Sequence, residues 1–276
     1  MRTSLSNLLA PVARGVLAGA FDYITYYRRR KTALIAALTW PLLYTAFLVL
    51  VLLFTGASNE YARRMGVGEE LASFIPAASF LLTAIGYIVD GAALYVLGLR
   101  WNGVLQLFMA TPGALLRLLT GCSIGSMLAA TTVVIVPFIL VTLIVAGVRG
   151  LVVLLIVVLI SLLAGFSMIG LGALVAGATL ASNRERVPLQ WLLPFTVLAS
   201  SILYPPVVLP PLLRAIAKLL PPYYAAEALR SIASTLSAKP LLSILLTLAP
   251  LAAAYATLYV PASLLVQQAR RRGSLE

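Results

Sequence analysis

Hydrophobic residues form six long runs along this chain, and short polar or basic segments separate them. No Asp, Glu, Lys or Arg occurs within residues 32–59, 71–89, 118–148, 150–183, 187–213 or 240–269. A helix needs about 20 apolar residues to cross the hydrocarbon core of a bilayer. The runs therefore predict six transmembrane helices, at about residues 32–55, 71–96, 118–144, 151–180, 188–205 and 241–267.

The composition agrees with this pattern. Of the 276 residues, 62% are hydrophobic and only 10% are charged, and the mean hydropathy is +1.04. A soluble domain has about 25% charged residues, so the composition excludes a water-soluble globule. We expect an all-α, multi-pass protein of the plasma membrane, with a single transmembrane domain over residues 32–276.

Basic residues are distributed unevenly between the two sides that the six helices define. Thirteen of the 20 Lys and Arg residues fall on the side of the two termini, and seven fall on the other side. The positive-inside rule places the more basic side in the cytoplasm, together with both termini and residues 100–111. This orientation also explains the net charge of +12, so we expect no nucleic-acid partner.

Residues 1–31 form a separate segment before the first predicted span. The segment mixes apolar and small residues, and it ends in an aromatic group followed by the basic block Arg28–Lys31. Aromatic and basic side chains are enriched at the headgroup region, where amphipathic helices lie. We expect an amphipathic interfacial helix on the cytoplasmic membrane surface, with lipid as its partner and the basic block as its anchor.

A short two-faced helix is predicted between the second and third spans, at residues 100–111. Apolar residues recur at the spacing of one helix face, at Trp101, Val104, Leu105, Phe108 and Met109. The other side carries Asn102, Gly103 and Gln106. Pro112 disfavours helical dihedrals at Thr111 and ends the helix. Because its apolar face is too short to cross a bilayer, this helix can lie at the membrane surface or dock in a groove of a soluble partner, and we expect that it docks.

Residues 207–238, before the last span, are apolar but are divided by two Pro-Pro pairs. The pairs leave two helical pieces, near 211–220 and 223–236, and each is too short to span a bilayer. Such pieces are typical of re-entrant or interfacial helices. Glu227 and Arg230 lie three residues apart on the second piece, so an ion pair can form between them. A solvated surface pair fits the sequence equally well.

Two groups of residues are candidates for the lining of a translocation path. The first span carries an aromatic stripe that includes Trp40, Tyr44 and Phe47, and the short fifth span carries Thr196 and Ser200. Lipid contact or helix packing is the simpler explanation of the stripe.

The sequence contains no pattern for catalysis or metal binding. Histidine is absent, there is one cysteine, and the Gly-Lys dipeptide of a phosphate-binding loop does not occur. A Ser-His-Asp triad is therefore impossible. We expect no enzyme activity, no metal site and no cofactor bound by this chain itself.

Three stretches of sequence occur in a characteristic order among the six spans. They are the YYRR run at 26–29 before Pro41, the run RWNGVLQLFMATP at 100–112, and the loop 210–230, which ends in EALR. In this order they resemble the elbow helix, the coupling helix and the loop before the sixth span in the permease subunits of type-2 ATP-binding-cassette exporters. The resemblance covers essentially the whole chain.

The resemblance implies the permease subunit of an ATP-driven exporter, which forms the translocation path as a homodimer. ATP and Mg²⁺ would be bound by a separate ATPase subunit, present in two copies. The implied coupling residues are Arg100, Trp101, Asn102, Val104, Leu105, Gln106, Phe108, Met109, Thr111 and Pro112. Asn102 and Gln106 replace the acids usual in the family's coupling helix. The alternative is a secondary transporter or channel without an ATPase, in which Asp90 and the Glu227–Arg230 pair would handle ions.

Overall fold

The computed structural model describes residues 5–110, 115–182, 195–235 and 239–272, and all regular elements in these ranges are helical. In chain order the α-helices are α1 (Leu5–Arg29), α2 (Lys31–Thr55), α3 (Ser58–Met65), α4 (Leu71–Trp101), α5 (Leu105–Ala110), α6 (Leu115–Ser167), α7 (Ile169–Ala181), α8 (Pro211–Ala217), α9 (Pro221–Thr235), α10 (Lys239–Ala256) and α11 (Tyr259–Arg272). A short helical segment also occupies residues 195–199.

Two helical stretches in the described ranges are long and apolar enough to cross a membrane, Leu115–Ser167 and Leu241–Arg271. The number rises to four if two bent helix pairs each count as one span. These pairs are Thr45–Thr55 with Ser58–Met65, and Leu71–Tyr87 with Gly91–Trp101. The described chain is therefore all-α with helices suited to a membrane, as predicted, whereas the count of six spans stays a prediction.

The 53-residue helix α6 is far longer than one membrane crossing requires, and it reverses at Gly147. Gly147 has φ 62° and ψ −155°, a backbone conformation that glycine adopts without a steric penalty. A Cβ atom placed on Gly150 would lie 2.8 Å from Cγ2 of Thr142, eight residues earlier in the chain. Because eight residues of straight helix rise about 12 Å, the second arm of α6 must fold back along the first.

The predicted bounds agree with the structure at the first span and differ elsewhere. α2 matches the predicted 32–55 except that it begins at Lys31, and α4 continues beyond residue 96 to Trp101. The predicted fourth span, 151–180, is divided at Met168, whose amide donates to the carbonyl of Gly165 in a tighter turn. Only residues 195–205 of the predicted fifth span lie in the described ranges, and its helix there ends at residue 199.

Glycine residues allow α1 and α6 to pack at backbone contact. Gly15 and Gly19 of α1 lie against Gly121 and Cys122 of α6, and a Cβ atom on any of the three glycines would overlap backbone atoms of the other helix. Small residues at four-residue spacing permit this close approach. The predicted N-terminal helix is therefore held on the first arm of α6, in addition to any contact with a membrane surface.

The opposite face of α1 is apolar and exposed, and it carries Leu17, Phe21 and Ile24. Arg14 and Arg28 are also exposed on this side. An apolar face flanked by arginines is typical of a helix that lies in the headgroup region. The face of α1 that was predicted to contact the membrane is thus exposed in the structure.

Candidate functional site

α4 ends in a left-handed turn at Gly103 that separates it from α5. The amide of Gly103 donates to the carbonyl of Arg100, and the amide of Val104 donates to the carbonyl of Leu99, each at 3.0 Å. These two bonds form a Schellman motif, and Gly103 supplies the positive φ, 68°, that the motif requires. The predicted helix over 100–111 is therefore not continuous. The Asn102-Gly103 pair was the sequence signal for this break.

The short helix α5 has one buried face and one exposed face. Leu105 is 6% exposed and Met109 is also buried, whereas Leu107 is 70% exposed. Gln106 is exposed and Phe108 is half-buried. Of the apolar residues predicted to meet a partner, Leu105 and Met109 are buried and hold α5 on the rest of the chain, Val104 and Phe108 are half-buried against the same core, and Trp101 is exposed. Leu107, which was not among the predicted residues, lies on the outer face.

A small hydrophobic core holds α5 in place. Leu105 and Met109 share this core with Ala92, Val96 and Leu99 of α4, Leu115 and Leu119 of α6, Ala176 and Leu180 of α7, and Val266 and Ala269 of α11. Burial of a Leu or Met side chain stabilises a fold by about 1.5–3 kcal/mol. The C-terminal ends of α4, α7 and α11 and the N-terminal end of α6 therefore meet here, and we name this region the α5 end.

The outer face of the α5 end consists of Trp101, Asn102, Gln106 and Leu107, all of which are exposed. Large apolar side chains next to amide groups are suited to a protein partner that offers an apolar groove with a polar rim. Val104 is half-buried at the edge of the core. The predicted coupling residues Thr111 and Pro112 lie outside the described residues.

Arg100 joins the end of α4 to the end of α7. Its Nη2 donates to the carbonyl oxygen of Thr179 at 3.3 Å and to that of Ser182 at 3.2 Å. Carbonyl groups at a helix C-terminus have no partner within the helix, and a cation there also interacts favourably with the helix dipole. Arg100, predicted to contact an ATPase, is thus engaged within the chain, where it ties two helices at the α5 end.

The opposite end of the molecule contains α3 and the Gly147 reversal. Arg149 pairs with Glu70 there at 2.8 Å, which ties the second arm of α6 to the start of α4. The hydroxyl of Tyr61 on α3 donates to the carbonyl of Leu203 at 2.8 Å. We name this region the far end.

Arg230 also lies at the far end, and it does not form the predicted ion pair with Glu227. Its guanidinium donates to the carbonyl of Ser201 and, at 3.4 Å, to that of Tyr204, whereas Glu227 is exposed on α9. The reason is the turn after residue 199, in which Ser201 has φ 54° and the backbone presents its carbonyl groups to α9. Arg230 therefore holds this turn against α9.

Three of the predicted path residues, Phe47, Thr196 and Ser200, have described side chains. Thr196 and Ser200 are buried, and the Ser200 hydroxyl donates to the carbonyl of Val197 at 2.6 Å, so neither lines an open path in this conformation. Phe47 on α2 is exposed. The side chains of Trp40 and Tyr44 lie outside the described residues, as does that of Asp90.

Among the residues that the structure describes, no group of three His, Cys, Asp or Glu side chains is placed to hold a metal ion. Comparison with known protein families finds no family model that matches this chain. Comparison with curated proteins finds no match either. A functional assignment therefore depends on the geometry of the α5 end.

Proposed function

We propose that the chain is the permease subunit of an ATP-driven exporter of the type-2 ATP-binding-cassette class. A second copy of the chain would complete the translocation path, and two copies of a separate ATPase would bind ATP and Mg²⁺. The observation that carries this proposal is α5, a six-residue helix with a buried and an exposed face. When a soluble partner displaces a rigid helix held in this way, the ends of α4, α6, α7 and α11 move with it.

In this proposal six segments cross the plasma membrane: α2, α4, the two arms of α6 with α7 as the extension of the second, the fifth span as predicted from the sequence alone, and α10 with α11. The α5 end lies in the cytoplasm, because Arg117 and the basic C-terminal residues of α11 are near it. The far end then faces the outside, and α1 starts on the cytoplasmic side and packs along the first arm of α6.

The sidedness of the α5 end tests this proposal. Leu107→Cys is introduced together with Cys122→Ala, which removes the single native cysteine. Membrane vesicles of both orientations are then treated with a membrane-impermeant maleimide. We expect labelling from the cytoplasmic side only, and we expect protection from labelling when the partner ATPase is bound.

Asn59→Cys supplies the matched control, because Asn59 is exposed on α3 at the far end. It should be labelled from the outside only, and bound ATPase should not change its rate. Labelling of Leu107→Cys from the outside would contradict the proposal, and so would a labelling rate that the ATPase leaves unchanged.

A further inference from the structure

The turn between α8 and α9 reaches the middle of the last candidate membrane span. The hydroxyl of Tyr255 donates to the carbonyl of Leu219, in this turn, at 3.2 Å. Tyr255 lies next to the centre of the span Leu241–Arg271. A second tyrosine, Tyr224, donates to the carbonyl of Lys218 at 2.9 Å and fixes the same turn. If this span crosses the membrane, the α8–α9 hairpin enters the bilayer to about the depth of its midplane.

Two basic residues of this hairpin, one helical turn apart, have different surroundings. The Arg214 guanidinium donates to the carbonyl groups of Pro206, Val207 and Leu209 at 2.8–3.1 Å, so the chain satisfies its charge with backbone dipoles. Lys218 is exposed at the tip of the hairpin. Among the described residues no ion pair or hydrogen bond involves its ammonium group.

An exposed ammonium group at this depth restricts what can lie beside it. A charged side chain near the bilayer midplane costs at least about 2.5 kcal/mol against lipid, so such residues face water or a counter-charge. Short helices joined by an irregular turn are likewise tolerated at this depth only against protein or a water-filled cavity. Leu212 and Leu219 are exposed on the same hairpin, so the environment of Lys218 is partly apolar.

We propose that Lys218 lines the water-filled part of the translocation path and binds the anionic group, a phosphate or carboxylate, of an amphiphilic substrate. The ammonium group supplies the charge, and Leu212 and Leu219 contact the apolar part of the molecule. Glu227 carries the exposed carboxylate nearest to Lys218 in sequence, and it lies further toward the outer end of α9. The charge at the tip of the hairpin is therefore positive. That the bound molecule is a transported substrate rests on the proposed function, whereas the cationic aqueous site does not.

The test measures the electrostatic potential at the tip with two thiol reagents of opposite charge. Leu219→Cys, in the Cys122→Ala background, is treated in membranes with the anionic sulfonatoethyl and the cationic trimethylammonium-ethyl methanethiosulfonates. We expect both reagents to react, with a strong preference for the anionic one. Lys218→Gln should lower the ratio of the two rates about tenfold, which corresponds to a unit charge acting over a few ångströms in a partly aqueous site. Lys218→Glu should reverse the preference.

Val260→Cys is the control, because Val260 is 64% exposed on α11 only five residues from Tyr255. We expect Val260 to face lipid, so a thiol at this position should react with neither reagent. An unreactive Leu219→Cys would mean that Lys218 extends toward the membrane surface through lipid, and it would overturn the inference. An unchanged rate ratio in Lys218→Gln would do the same. Because no ATPase is needed, a positive result in a chain that binds no ATPase would contradict the proposed function alone.

Discussion

If the proposed function holds, replacement of Leu107 by aspartate is expected to weaken binding of the proposed partner ATPase at least tenfold while the chain still inserts and folds. Leu107 is 70% exposed in the middle of the outer face of the α5 end, so the change leaves the internal core intact. An apolar anchor at the centre of an interface typically contributes about 2 kcal/mol or more to binding, and a buried unpaired carboxylate adds a further cost. The measurement is co-purification and direct titration of the ATPase against detergent-solubilised permease.

Two further variants make this result specific. Val207→Asp places the same charge on an aliphatic residue that is 77% exposed in the segment just before α8, outside the α5 end, and it should leave ATPase binding unchanged. Leu105→Ala removes a buried side chain from the same helix. It should lower the free energy of unfolding by more than it weakens the free energy of ATPase binding. Equal ATPase binding by Leu107→Asp and Val207→Asp would show that the partner does not contact α5.

Replacement of Arg100 by glutamine is expected to separate ATPase binding from ATPase stimulation. Arg100 lies behind the outer face and donates two charge-assisted hydrogen bonds to the end of α7. Each such bond contributes about 1.5–3 kcal/mol. Without them, only the shared hydrophobic core joins the ends of α4 and α7, so movement of α4 displaces α7 less. We expect affinity for the ATPase to change less than twofold, while the permease-dependent stimulation of ATP hydrolysis falls severalfold.

Arg117→Gln is the matched control for this prediction. Arg117 is exposed on α6 near the same end, so the variant removes an equal charge without removing a link between helices. It should retain normal stimulation. Arg100→Lys should recover part of the stimulation, because an ammonium group can reach one carbonyl but lacks the planar fork of arginine. Equal stimulation of ATP hydrolysis by Arg100→Gln and Arg117→Gln would show that Arg100 does not contribute to coupling.

The helical class and several helix bounds followed from the sequence because they depend on local properties. Apolar run length predicted α2 almost to the residue, and the Pro-Pro pairs placed α8 and α9 close to their observed positions. The reversal at Gly147 was predicted only as a boundary near residue 149. A single glycine with positive φ is sufficient to turn the chain there, and run length alone cannot show that.

A short two-faced helix near residues 101–109 was predicted from the sequence, but not which of its residues are buried. Helical periodicity identified an apolar face on residues 101–109, and it could not distinguish a face that packs on the chain from one that meets a partner. Contacts with α7 and α11, which are distant in sequence, turned Leu105 inward and left Leu107 exposed. Likewise, three-residue spacing suggested that Arg230 pairs with Glu227, whereas backbone carbonyls from a distant turn engage Arg230 instead.

We propose that a separate ATPase, engaged at the α5 end, drives transport through this chain. A gene for such an ATPase is expected beside the gene of the chain. The most direct measurement is the rate of ATP hydrolysis by that ATPase in liposomes with and without the purified permease. We predict that the permease raises the rate severalfold and that Leu107→Asp abolishes the increase. An unchanged hydrolysis rate, together with gradient-driven solute flux through the permease alone, would contradict the claim.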